Sequence, residues 1–127
     1  MELDNLVTLD EHEDGARLHL RDKHGVEVDA YVVIKGPDSS AYRIARRKQR
    51  KQVVALVEKG IDIDSYDFFP LDVEFVCQVV SGWGEITQGG EEYEYNADNA
   101  KSLFSKAPPI VELILDFCGN RENFTKG

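Results

Sequence analysis

The stretch ARLHLRDKHGVEVDAYVVIKGPDSSAYRIARRKQRKQVVALVEKG, residues 16–60, changes its hydrophobic period once, and that change decides the fold class. Over 16–21, Ala16, Leu18 and Leu20 alternate with Arg17, His19 and Arg21, the period of two of a strand with one buried face. Asp22-Lys23-His24-Gly25 is turn chemistry, with Gly25 able to take the positive φ of a tight hairpin. Val26, Val28, Ala30, Val32 and Ile34 resume the alternation. Gly36-Pro37-Asp38-Ser39-Ser40 stops the strand and supplies side-chain oxygens for the free N–H groups of a first helical turn. From Ser40 the spacing predicts a helix to about Lys59, closed by Gly60. Its apolar stripe, Tyr42, Ala45, Val53 and Leu56, is interrupted by Gln49. Upstream, Leu6–Leu9 is a short candidate strand, so residues 5–34 are expected to form a β-hairpin or a three-stranded meander.

Downstream the chain reads as helical. Ile61–Asp67 is an acidic connector. A second helix begins near Pro70, a favoured first-turn residue, and ends before Gly82. Residues 82–96 form a turn-rich excursion, with a small hairpin around Gly89-Gly90. Asn96 caps a third helix reaching Lys106, and Pro108-Pro109 breaks it and opens a fourth that closes near Gly119. The tail is polar apart from Phe124. The expected fold class is α+β, mainly α-helical, with the N-terminal β-hairpin or meander followed by about four helices. A chain of 127 residues supports one core. Residues 1–127 are therefore expected to form a single domain, with its β part at 5–34 and its helical part at 38–124.

Charge is distributed unevenly. The formal net charge is −9, from 24 acidic and 15 basic residues. Six basic residues fall in RIARRKQRK (43–51), which has no acidic residue, so the rest of the chain carries a net −15. The start, MELDNL, lacks the basic and apolar regions of a signal peptide, and no apolar run approaches the roughly 18 residues of a membrane span. Cys77 and Cys118 sit in apolar segments without paired spacing, and read as reduced core thiols of a cytoplasmic protein.

No reaction chemistry is legible. His12 lies in EHED, which reads as a solvated turn, because consecutive residues cannot all converge on one ion. His19 and His24 flank the hairpin turn as surface residues. Asp62, Asp64 and Asp67 do not make a calcium loop, since the sixth and twelfth positions from Asp62 hold Asp67 and Val73 instead of glycine and glutamate. Gly82, Gly84, Gly89 and Gly90 are followed by no phosphate-binding Lys-Ser/Thr, and no Gly-x-Ser-x-Gly occurs. The expectation is a protein that is not an enzyme and that needs no metal and no cofactor.

Binding is the stronger reading. On a helix, Arg43, Arg46, Arg47 and Arg50 fall within an arc of roughly 100°, beside the apolar stripe. Such a face is either merely solvated, or a contact for acidic protein through guanidinium–carboxylate pairs, or a phosphate-binding surface of a nucleic-acid-binding regulator built on helix 40–59. The net charge and the scarcity of nearby aromatics weigh against the last. The helices at 70–81 and 109–118 are apolar on nearly every side, with Glu74 and Gln78 interrupting one and Glu112 and Asp116 the other. A helix of that kind is buried all round. Enclosing two is difficult for a small domain, so either the sheet and the first helix cover both, or, as expected here, some of that surface faces another chain, a client or a second copy. Leu113 and Phe117, four apart on one face, are the candidate contacts.

The order of features over 70–124 resembles the tail assembly chaperones of long-tailed (siphovirus-type) bacteriophages. They are the apolar helix, Gly82-Trp83-Gly84, the glycine turn, the Asn-x-x-Asn helix start at 96–99, the Pro-Pro break, a second apolar helix and Arg121-Glu122-Asn123-Phe124. The resemblance implies a non-enzymatic protein of virion assembly in the host cytoplasm. Such a protein binds the helical, apolar tape-measure protein and keeps it soluble until tail-tube protein polymerises around it. The resemblance also implies that a chain ending at Lys126-Gly127 is the short form of a pair made by ribosomal frameshifting. The resemblance assigns no role to the arginine stripe.

Overall fold

The computed structural model describes residues 1–125. The chain end at Lys126-Gly127, on which the short-form expectation rests, lies outside the described residues. The architecture is α+β, with a strand hairpin followed by four helices, as the change of period predicts. Strands β1 (Ala16–Arg21) and β2 (Glu27–Ile34) pair antiparallel. Their turn is closed by Asp22, whose carboxylate accepts from the N–H groups of His24 at 2.9 Å and Val26 at 3.1 Å, with Gly25 at φ 80°.

Two local expectations are corrected. Leu6–Leu9 forms no strand: a 3-10 turn at Leu3–Asn5 leads into helix α1 (Leu9–Asp14). The third strand of the sheet comes from far along the chain. Helix α2 (Ser40–Glu58) and helix α3 (Phe69–Val79) intervene before β3 (Val80–Gly84), which lies antiparallel on the free edge of β2. Gly82-Trp83-Gly84 is therefore a strand segment and not a turn. The cause is hydrogen-bonding demand. A two-stranded ribbon leaves one edge of β2 unpaired, and the extended backbone following Val79 satisfies it.

Other boundaries follow the sequence signals. Ser39 caps α2, its hydroxyl accepting from the Tyr42 N–H at 3.2 Å. After β3 the chain makes the small hairpin β4 (Thr87–Gln88) and β5 (Glu91–Glu92) across Gly89-Gly90. Asn96 caps helix α4 (Ala97–Lys106) through the Asn99 N–H at 2.8 Å, and the Pro-Pro pair opens helix α5 (Pro108–Cys118). Trp83 fastens the excursion to the body. Its indole N–H donates to the Tyr93 carbonyl at 2.8 Å, while its ring stacks on Tyr93 and meets Tyr95 edge-on.

The core lies between sheet and helices. Val32 and Ile34 of β2 meet Val73, Phe75, Val76 and Val79 of α3, Phe104 of α4 and Ile114 of α5. Burial of each such side chain contributes about 1.5–3 kcal/mol. The buried residues of α3 lie on two sides, because α2 covers it on one flank and α4 and α5 on the other. Helix α5 is buried along one line only, Val111, Ile114 and Cys118.

His12 overturns the expectation of a solvated turn. It is 1% exposed, its Nδ1 accepts from the Asp38 N–H at 2.8 Å, and its ring packs on Phe124. It closes a clasp that joins α1, the β2–α2 loop and a 3-10 turn at Arg121–Phe124. A helical turn at 9–14 directs one side of EHED inward, which the neighbouring charges conceal in the sequence.

Candidate functional site

Arg43, Arg46, Arg47 and Arg50 all project from the outside of α2 and are exposed. Among the described residues none of the four lies within ion-pair distance of a carboxylate. Lys48, further round the helix, does, with its ammonium 2.6 Å from Glu74. Helix α2 faces the core through Ala45, with Tyr42 packed edge-on against Phe75 and Gln49 and Gln52 bonding to Asp72 and Glu74 of α3. Gln49, which breaks the apolar stripe in the sequence, is thus accommodated by a partner on α3.

The four arginines divide into two pairs. Arg46 and Arg50 border a cleft of about 340 Å³ between α2, α3 and α5, together with Asp72, Phe75 and Leu115. Burial, helped by Asp67, raises the pKa of Asp72 above the ordinary carboxylate range. Arg43 and Arg47 do not line that cleft, and Arg43 donates to the Ser39 carbonyl at 3.3 Å.

Leu113 and Phe117 are both half-buried. Phe117 stands edge-on to Phe124 at 5.5 Å, so part of its surface is already covered from within the chain. Neither borders the arginine cleft, whose α5 wall is Leu115 and Cys118. The arginines and the Leu113–Phe117 face are consequently separate surfaces.

A groove of about 850 Å³ lies between α3 and α4, at residues that the sequence expectations did not single out. One wall is the line Pro70, Val73, Glu74 and Cys77 of α3, with Phe69 and Leu71 also lining the groove. The other is Ala97, Ala100, Lys101 and Ser105 of α4, with Tyr95 at one end. The spacing on each wall is that of a single helix face. The small residues of α4 hold the helices in contact at Ala100 while leaving the space above it open. Those small residues at i, i+3 and i+8 were the legible signal. Glu74 and Lys101 stand on opposite walls. Lys48 and Gln52, by hydrogen bonding, lower the Glu74 pKa and keep it charged.

Both thiols are free, Cys118 buried and Cys77 partly so. Burial raises the Cys77 thiol in the groove and pushes Cys118 up to about 11, so both are protonated near neutral pH. Among the described residues no group of three or more His, Cys, Asp or Glu side chains is gathered closely enough to hold a metal ion. No described helix is long and apolar enough to cross a membrane. Compared with protein-family models, with curated proteins and with solved structures, the chain matches none.

Proposed function

We propose that this protein is a non-catalytic client-binding chaperone of the kind implied by its resemblance to bacteriophage tail assembly chaperones. In this reading it acts in the host cytoplasm and holds apolar helical segments of a tape-measure protein until tail-tube protein replaces it. The α3–α4 groove supports the reading. It is apolar along its floor and walled by two helices, and an open trough between helices accepts the apolar face of a third. The Glu74–Lys101 rim gives such a helix a preferred direction, since unlike charges on the two walls select opposite charges on the two sides of the ligand.

The test uses synthetic amphipathic helices with a Leu/Ala face, alongside a composition-matched scramble and a duplex DNA. The wild-type protein binds the amphipathic helix and not the scramble. Leu71→Asp combined with Ala97→Glu weakens that binding by about tenfold or more while leaving the melting temperature nearly unchanged, because both positions line the groove and neither is buried. Undiminished helix binding by the double variant refutes the groove reading. Tight, steeply salt-dependent binding of duplex DNA, abolished by reversing the four arginines, replaces it with the nucleic-acid reading.

A further inference from the structure

Two exposed surfaces of this chain complement each other. The first is on α2. Arg43, Arg47, Arg50, Val54 and Val57 recur at spacings of four and three, placing them in one arc of roughly 80°. The stripe is cationic over its first half and apolar over its second, with Val54 54% and Val57 52% exposed. The second surface is the segment before α1. Leu3, Leu6 and Val7 are 70%, 63% and 55% exposed, with Glu2 and Asp4 interleaved. One is basic and apolar, the other acidic and apolar, and nothing else in the described chain covers either.

We propose that the α2 stripe of one copy receives residues 2–7 of a second copy. The three apolar side chains would lie on Val54 and Val57, and Glu2 and Asp4 would face the arginines. Like surfaces exclude the simpler pairing of two stripes. Side by side in parallel, arginine meets arginine; antiparallel, arginine meets valine. Nucleic acid fits less well, because a phosphate backbone leaves the valine half uncovered. The molecule's own segment is placed against this too. Thr8 is tied to Asp38 at the start of α2 by a 2.6 Å hydrogen bond, and Val57 stands about 20 Å along the helix from Arg43. Reaching it from within requires opening the 3-10 turn at Leu3–Asn5 and extending the segment fully, whereas a second copy docks it as folded. The contact is heterologous, so each copy offers one segment and one stripe, and pairs close reciprocally or chains continue.

Two variants test it, each altering only exposed side chains. One carries Arg47→Glu and Arg50→Glu, and the other carries Leu3→Ser, Leu6→Ser and Val7→Ser. In sedimentation at low salt, the wild type gains mass with concentration. That association weakens by about tenfold when salt rises from about 0.05 M to about 0.5 M. Each variant alone melts like the wild type once salt is added, and each stays monomeric at low salt. A mixture of the two associates again, because the intact segment of the first meets the intact stripe of the second. The groove variant of the preceding section associates normally, which separates failure here from failure of client binding. A wild type that remains monomeric at low salt up to millimolar concentration overturns the proposal. So does association that persists in either variant, or a mixture that stays monomeric while the wild type associates.

Discussion

Asp38 carries three partners on one side chain and its own N–H. One carboxylate oxygen accepts from Arg121 at 2.7 and 3.0 Å, the other from Thr8 at 2.6 Å, and the backbone N–H donates to His12. The hydrogen bonds from Arg121 and then Thr8 hold its pKa at about 2, below the 3.8 of a free aspartate, against the opposing effect of burial. Because the folded pKa is the lower, this group stabilises the fold above the unfolded value and loses that contribution as pH falls from 3.8 towards about 2. Arg121 is 66% exposed, so solvent screening limits the contribution to about 1 kcal/mol. Asp38→Asn is expected to lower stability by about that amount at neutral pH and to flatten the melting temperature across that acid window. An equally steep acid dependence in the variant would show that other carboxylates set it. Close by, a Cβ on Gly36 would stand 2.6 Å from the His12 ring, and that ring is walled in by Phe124. Gly36→Ala is therefore expected to cost about 1–3 kcal/mol or more, read as a lower urea midpoint with an unchanged slope.

Helix α5 is the element where burial and exposure alternate most closely. Ile114 is fully buried on the line shared with Val111 and Cys118, while Leu113, one residue earlier, is turned to the half-exposed side. A charge at Ile114 is expected to unfold the domain. Large-to-small changes at such sites already cost about 2–5 kcal/mol, and an unpaired buried charge costs more, against a total stability of about 5–15 kcal/mol. Leu113→Asp is expected to stay within about 1 kcal/mol of the parent in a thermal melt. Phe117→Asp should fall between them, because it loses the ring contact with Phe124 but not a fully enclosed site. If Leu113→Asp unfolds the chain as Ile114→Asp does, the whole of α5 is core and its outer face offers no contact surface.

At the scale of the molecule, the arginines of α2 are isolated positive charge on an acidic body. Reversing Arg43, Arg46, Arg47 and Arg50 to Glu takes the formal net charge from −9 to −17, two units for each of four residues. No described carboxylate lies within ion-pair distance of them, and the local bond lost is the one from Arg43 to the Ser39 carbonyl. The expected cost is general self-repulsion, seen as a melting temperature that falls at low salt and recovers as salt is added. A loss that salt does not restore would reveal a packing role for the arginine stems bordering the α2–α3–α5 cleft.

What the sequence determined by itself is local. The switch of period at Gly36-Pro37, the Asp22–Gly25 turn, the caps at Ser39 and Asn96 and the Pro-Pro break each act through bonds within a few residues, so strands, helices and their ends could be read directly. The exposed arginine face was legible for the same reason, since helical spacing alone sets it. Tertiary structure decided whatever depends on a partner distant in the chain. Val80–Gly84 is a strand only because β2 offers it an unpaired edge, whereas read alone Val80 and Ser81 end a helix and Gly82–Gly84 open a turn-rich stretch. His12 is buried only because the loop at 36–39 and Phe124 close over it. The α3–α4 groove is marked in the sequence only by the small residues Ala97, Ala100 and Ser105, and these line a site only once α3 packs alongside them. The four arginines are parted from Leu113 and Phe117 by the packing of α3 between α2 and α5, an arrangement set by burial of Ala45, Val73, Val76 and Ile114 together, and a contribution shared among three helices is not written in any one of them.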